Sequence, residues 1–361
     1  MNELGVYIHW PYCRSKCPYC DFYSRVDAKV DQDRLVDAYL QELDFYHNLT
    51  GQHRVRSIFF GGGTPSLLKP ANIERLIDAV VNKWQTSEKP EVSLEANPNT
   101  NHPQMFADLK SAGVNRLSLG VQALNEADLR FLGRTHSLSQ ARQSIEEVVR
   151  IFDNHSIDLI YGRPDQKAAD WEAELAEAVS FGLKHISLYM LTIEPGTYFA
   201  RKGVEPLDEA AAEAMYRQTR EFLTAQGYPQ YEISNFARPG FESLHNLGYW
   251  RGEDYIGIGP GAHGRLRVGH SLYATEYPQK LEKLTPAERA EELILMGLRI
   301  AEGVHKERFA SQCGLAWEQA ADSRRQAEMV ADGLLAEDGC RIRATEAGIL
   351  VLDKIIEDLC L

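Results

Sequence analysis

The chain has 361 residues, of which 44% are hydrophobic and 25% charged, a balance that supports packed cores and excludes disorder for the bulk of the sequence. Lys and Arg number 39 against 52 Asp and Glu, a net charge of −13, which argues against a protein that tracks nucleic-acid phosphates. No apolar run reaches 18 residues, so no transmembrane segment is expected, and the N-terminus MNELGVYIHWPYC lacks the cationic start and apolar stretch of a signal peptide. The expected location is the cytoplasm, with peripheral contact at the inner face of the membrane left open.

In chain order, β-rich runs at Val6–Trp10, Ser57–Phe60, Val92–Ala96, Arg116–Val121, Ile157–Gly162 and Ile186–Leu191 predict six strands. Helical periods lie between them. Leu35, Tyr39, Leu43 and Tyr46 share one face, as do Ile73, Leu76, Ile77, Val80, Val81 and Trp84. Ile145, Val148, Val149 and Phe152 make a third face, and Trp171, Leu175, Ala178 and Val179 a fourth. Alternation at this spacing means parallel strands with right-handed crossovers. A closed eight-stranded barrel typically needs about 250 residues, so the fold class expected is α/β, a partial (β/α)6 TIM-like barrel. Its polar and glycine-rich residues fall at the C-terminal ends of the strands, where such sheets place their ligands.

After Leu191 the character changes. Asp208 to Ala225 reads as an Ala- and Glu-rich helix, and Tyr228 to Gly264 as loops and short strands dense in Gly, Asn, His and aromatics. Thr285-Pro286-Ala287-Glu288 is a capping box opening a helix through Ile300. A hairpin turning at Asp338-Gly339, with strands near Leu335 and Ile342, completes a winged-helix-like module, which the acidic composition argues against reading as DNA-binding. The expected division is a barrel over residues 1–230 and a smaller α+β region over 231–361.

Six cysteines are unevenly spread. Cys313, Cys340 and Cys360 are scattered and read as buried small hydrophobes or inert thiols. Cys13, Cys17 and Cys20 crowd into eight residues with the spacing C-x3-C-x2-C, on the loop after the first strand. Three thiolates so placed can hold three irons of a [4Fe–4S] cube and leave the fourth open. A zinc site would want a fourth protein ligand, for which His9 is the nearest candidate, although it sits within the strand.

The triplet resembles the signature of the radical S-adenosylmethionine (SAM) superfamily. That resemblance implies a [4Fe–4S] cluster on Cys13, Cys17 and Cys20, with SAM chelating the open iron and being cleaved to a 5′-deoxyadenosyl radical. Phe60-Gly61-Gly62-Gly63-Thr64-Pro65 after the second strand looks like the loop that receives the SAM amine. Further positions match the SAM contacts of the oxygen-independent coproporphyrinogen oxidase group: Tyr7, Tyr19, Gly62, Gly63, Thr64, Glu95, Gln122, Arg134 and Asp158. The resemblance covers nearly the whole chain and makes residues 231–361 a C-terminal domain of the type found in that group.

Two branches of the group are open. One is a dehydrogenase that decarboxylates two propionates of coproporphyrinogen III; the other is regarded as a haem chaperone. The dehydrogenase carries a further cysteine two residues after the triplet, where this chain has Phe22, and an N-terminal extension for which Cys13 comes too early. His245-Asn246-Leu-Gly-Tyr249-Trp250 matches the H-N-x-x-Y-W motif of the chaperone branch. All three favour the chaperone, which implies haem as cargo and haem-dependent respiratory proteins as acceptors, some of them at the membrane. In that reading His245 ligates haem iron, with Asn246, Tyr249 and Trp250 beside the macrocycle and His263 a second candidate ligand. The other reading of the motif is a satisfied core histidine with packing neighbours. The enzyme class therefore stays open beside the chaperone. A homodimer is compatible with the resemblance, but the sequence assigns no oligomeric state.

Overall fold

A computed structural model describes residues 2–98 and 104–360. The first strand, β1 (Glu3–Trp10), is followed by a small parallel ribbon of β2 (Tyr12–Cys13) and β3 (Arg25–Val26). Then come β4 (Arg54–Gly62), β5 (Gln85–Ala96), β6 (Arg116–Gln122), β7 (Asn154–Tyr161) and β8 (His185–Met190), all parallel, with helices between them. Along β1 the side chains of Leu4, Val6 and Ile8 are fully buried, while Gly5, Tyr7 and His9 alternate with them on the other face. The helix Gln32–Thr50 starts at Asp31, whose side chain accepts from the Arg34 N–H, and buries Val36, Tyr39, Leu43 and Tyr46 at helical spacing. Each side chain of that size is worth about 1.5–3 kcal/mol on burial.

The six strands read from the sequence are present, and a seventh parallel strand joins them. β9 (Gln230–Glu232) and β10 (Asn235–Ala237) extend the β8 edge antiparallel. β11 (Asp254–Ile258) instead crosses to the opposite side and pairs parallel with β1. The antiparallel strands β12 (His263–Val268), β13 (Ser271–Glu276) and β14 (Lys280–Leu284) continue outward from it. The result is one open sheet of twelve strands rather than a closed barrel.

The division expected at residue 230/231 therefore falls inside this sheet. Ile256, Ile258 and Leu266 belong to the barrel core, whereas a separate core begins at Ala290 and gathers Phe309, Trp317, Ile342 and Leu359. The chain divides near residue 285, where Thr285 makes the capping box of the helix Pro286–Gly297. Beyond it lie helices and a three-stranded sheet of β15 (Val304–His305), β17 (Arg341–Ala344) and β16 (Leu335–Glu337), with Gly339 at positive φ in the hairpin. Of the scattered cysteines Cys313 is buried as expected, but Cys340 is exposed at that hairpin.

Candidate functional site

The ribbon of β2 and β3 closes the cysteine segment into a loop over the C-terminal ends of the parallel strands. Cys13, Cys17 and Cys20 are free, partly exposed thiols that line one cavity of about 340 Å³. From the strand ends below, β4 contributes Gly62 and the turn after it Gly63, β5 Glu95, β6 Gln122 and β7 Asp158, and Tyr19, Thr64 and Arg134 complete its polar wall.

The glycine turn is dictated by crowding. A Cβ on Gly63 would sit 2.6 Å from the Tyr12 carbonyl oxygen, and Gly62 has φ +106°. The Gly63 N–H donates to the Trp10 carbonyl at 2.6 Å, and the Thr64 N–H to that of Tyr12 at 2.9 Å, so the turn and the cysteine loop are fixed to each other. At the end of β6 the register slips and Gln122 takes φ +75°, a conformation that a non-glycine residue holds only where its surroundings impose it.

Two carboxylates face the cavity. Burial, and then the charge of Asp158, push the Glu95 carboxyl up to about 8. Burial also raises Asp158, against the hydroxyls of Ser187 and Ser118, the latter donating at 2.9 Å. Opposite them, Arg134 donates to Cys17 Sγ at 3.3 Å, to the Gly120 carbonyl at 2.8 Å and to Asn97 Oδ1. Asn97 in turn donates to Thr64 at 3.2 Å. Asn97 is a site residue that the sequence motifs do not single out. Its position two residues past Glu95, next to Pro98, was the available signal.

The donor set fits an iron–sulfur cube. Three soft thiols on one loop open onto one cavity, and an arginine N–H reaches one sulfur. Zinc fits less well. Both ring nitrogens of His9 are engaged, with the Tyr7 hydroxyl at 3.0 Å and the Tyr23 carbonyl at 2.9 Å. Among the described residues no three His, Cys, Asp or Glu side chains converge tightly enough for a single ion. The adjoining space fits SAM: a volume in the range of small-molecule sites, glycine backbone for close approach, carboxylates for its cationic groups and Arg134 for an anionic one.

Tyr7 departs from its expected place. It does not line the cavity; its ring lies under the glycine turn, where a Cβ on Gly61 would meet it at 2.9 Å, and it stacks toward Phe59 and His245.

The larger correction concerns the H-N-x-x-Y-W segment. It forms the helix Leu244–Trp250, whose first N–H groups, Leu244 and His245, both donate at 3.1 Å to the carboxylate of Glu91 on β5. His245 is 2% exposed, stacked on Phe59, with Nδ1 bonded to Ser57 at 2.8 Å and Nε2 to Tyr249 at 2.6 Å. Burial pulls its pKa down to about 3. With both imidazole nitrogens hydrogen-bonded inside the barrel, His245 has here the arrangement of a satisfied core histidine rather than of an open iron ligand. Nor do the neighbours form a haem face. Tyr249 packs on Tyr255, Asn246 lines an inner polar chamber of about 220 Å³ with Arg116 and His185, and Trp250 faces the C-terminal helices near Leu293 and Phe309.

This barrel, with its loop of three thiols over a glycine turn and paired carboxylates, agrees with what comparison finds. The model of the radical SAM superfamily matches residues 7–178, and that of the HemN C-terminal domain residues 284–351. Mouse mitochondrial radical S-adenosyl methionine domain-containing protein 1 is 38% identical over 98% of this chain and 87% of its own. The heme chaperone HemW of Escherichia coli K12 is 35% identical over 99% and 98%. The structure of E. coli coproporphyrinogen III oxidase (HemN) superposes with a TM-score of 0.81 at 23% identity, over 99% of this chain and 90% of that one, a likeness of fold. The chain belongs to the radical SAM superfamily and carries a HemN C-terminal domain. That family implies a [4Fe–4S] cluster and SAM. No helix among the described residues is long and apolar enough to cross a membrane.

Proposed function

We propose that this protein is a haem chaperone that takes up haem as cargo and passes it to haem-dependent respiratory proteins, with a [4Fe–4S] cluster on Cys13, Cys17 and Cys20 and SAM beside it. The observation that carries the reading is end-to-end similarity to a heme chaperone, 35% over 99% of this chain and 98% of that one. Phe22 supports it. At the position where the dehydrogenase branch has another cysteine, this chain places an exposed aromatic at the cavity mouth.

When bound, the cluster supplies the electron that SAM chemistry requires. The chain's own residues do the rest. The Gly62–Gly63 backbone admits the methionyl end, Glu95 and Asp158 meet its cationic groups, and Arg134 holds Cys17 and orders the wall through Asn97. Tyr19, held by Arg134 at 3.4 Å, closes the side nearest the cysteines.

The test is anaerobic reconstitution, haem titration, and transfer to a haem-free respiratory acceptor. Haem uptake followed by acceptor maturation is expected. A protein that takes up no haem, or one that turns coproporphyrinogen III over with SAM and reductant, would overturn the reading.

A further inference from the structure

With His245 enclosed, the cargo needs another ligand. Among the described histidines, His9, His53, His136, His155, His185 and His245 are buried. His47 and His305 are partly buried, and His263 and His270 are exposed. Of the exposed pair, His263 lines a pocket.

That pocket, about 320 Å³, is formed between β12 and β13, with His263, Tyr277, Lys280 and Arg265 on its walls. The rings around it are accessible: Tyr277 is 38% exposed, and Tyr23, 45% exposed, packs directly against Gly261 at the rim. Lys280 is largely free for an anionic partner, since its ion pairs with Glu276 and Glu282 are at 3.6 and 3.7 Å and exposed, a geometry worth little. Arg265 is less free, held by Glu292 at 2.7 Å.

Resting on the haem-chaperone reading, we infer that haem docks on this rim, with His263 as an axial ligand to the iron and Lys280 receiving a propionate. The imidazole donates its lone pair to iron and a water ligand leaves; no redox change is involved. Partial desolvation of the ring, and then Arg265, hold the His263 pKa below its ordinary value, which keeps that lone pair available at neutral pH. The pocket is too small to enclose a porphyrin, so one edge enters while Tyr23 and Tyr277 cover part of the faces. A cargo bound by its edge stays reachable by an acceptor. The Tyr23 carbonyl bonds His9 Nε2 at 2.9 Å, which ties the rim to the cysteine loop.

The experiment titrates hemin into reconstituted wild type, His263→Ala, His263→Cys and His270→Ala, with iron–sulfur content and circular dichroism as folding checks. We expect an imidazole-type spectrum in wild type and His270→Ala, affinity at least roughly tenfold weaker in His263→Ala, and a thiolate-type ferric spectrum in His263→Cys. Unchanged affinity and spectrum in both His263 variants would overturn this assignment and leave the chaperone reading standing. A wild type that binds no hemin would overturn both.

Discussion

Arg134 Nη1 donates to Cys17 Sγ at 3.3 Å, joining a guanidinium from the loop after β6 to the thiol loop after β1. A fixed positive charge and an N–H aimed at a sulfur stabilise the extra negative charge of a reduced cluster. Arg134→Met should therefore shift the cluster midpoint potential downward, with Arg134→Lys between it and wild type. An EPR-monitored redox titration that gives equal potentials would remove Arg134 from this role.

Cys17→Ala should leave the protein folded but without a four-iron cube. Ser in place of Cys313, Cys340 or Cys360 should leave iron and acid-labile sulfide unchanged, because those thiols lie in the C-terminal domain. Iron and sulfide analysis after anaerobic reconstitution decides it.

Glu95, with its carboxyl pushed up to about 8, is mostly protonated at pH 7. A cationic SAM favours the ionised form, so binding should release a proton and strengthen as pH rises toward 8, by up to about tenfold per unit. In Glu95→Gln this component should vanish. Calorimetric titration of both proteins at several pH values measures the difference; parallel profiles would contradict it.

His245 is neutral in the fold, and its pKa near 3 lies below the unfolded value of 6.5. The unfolded chain then binds the extra proton. Stability is full above pH 6.5 and is lost as pH falls toward 3. Between pH 6.5 and 5 this one group should account for about 2 kcal/mol. Urea unfolding of apo wild type and His245→Gln should show a shallower acid dependence in the variant.

Gly63→Ala would bring a Cβ to 2.6 Å from the Tyr12 carbonyl and 2.9 Å from that of Trp10, both backbone atoms. The expected cost is about 1–3 kcal/mol, with displacement of the neighbouring Cys13 and reduced cluster occupancy. Thermal unfolding and iron content of the variant test both parts.

The barrel was legible because its signals are local. Strand runs, helical periods and the C-x3-C-x2-C spacing each reside in a few consecutive residues, as does the capping box at Thr285. The missing pieces depend on distant partners. β11 is five residues within a loop-rich stretch, and nothing in Asp254–Ile258 says that it will lie against β1. The H-N-x-x-Y-W segment was visible as a motif, but its burial follows from Ser57 and Glu91 on β4 and β5, which neighbouring sequence cannot reveal. Tyr7 is similar: strand alternation fixes which face it takes, while the turn it supports lies on β4.

The position of β11 has a consequence for how the protein comes off the ribosome. β1 is flanked on one side by β4 and on the other by a strand that ends at Ile258. Until that residue has emerged, the first strand has one open edge beside the thiol loop, an invitation to pair with another chain. A nascent chain halted near residue 230 would thus be sticky and unfinished at the very place where iron must be installed. Metal loading is therefore best suited to a chain that has grown past Ile258, and a barrel fragment cut at 230 should aggregate rather than serve as a minimal cluster-binding unit.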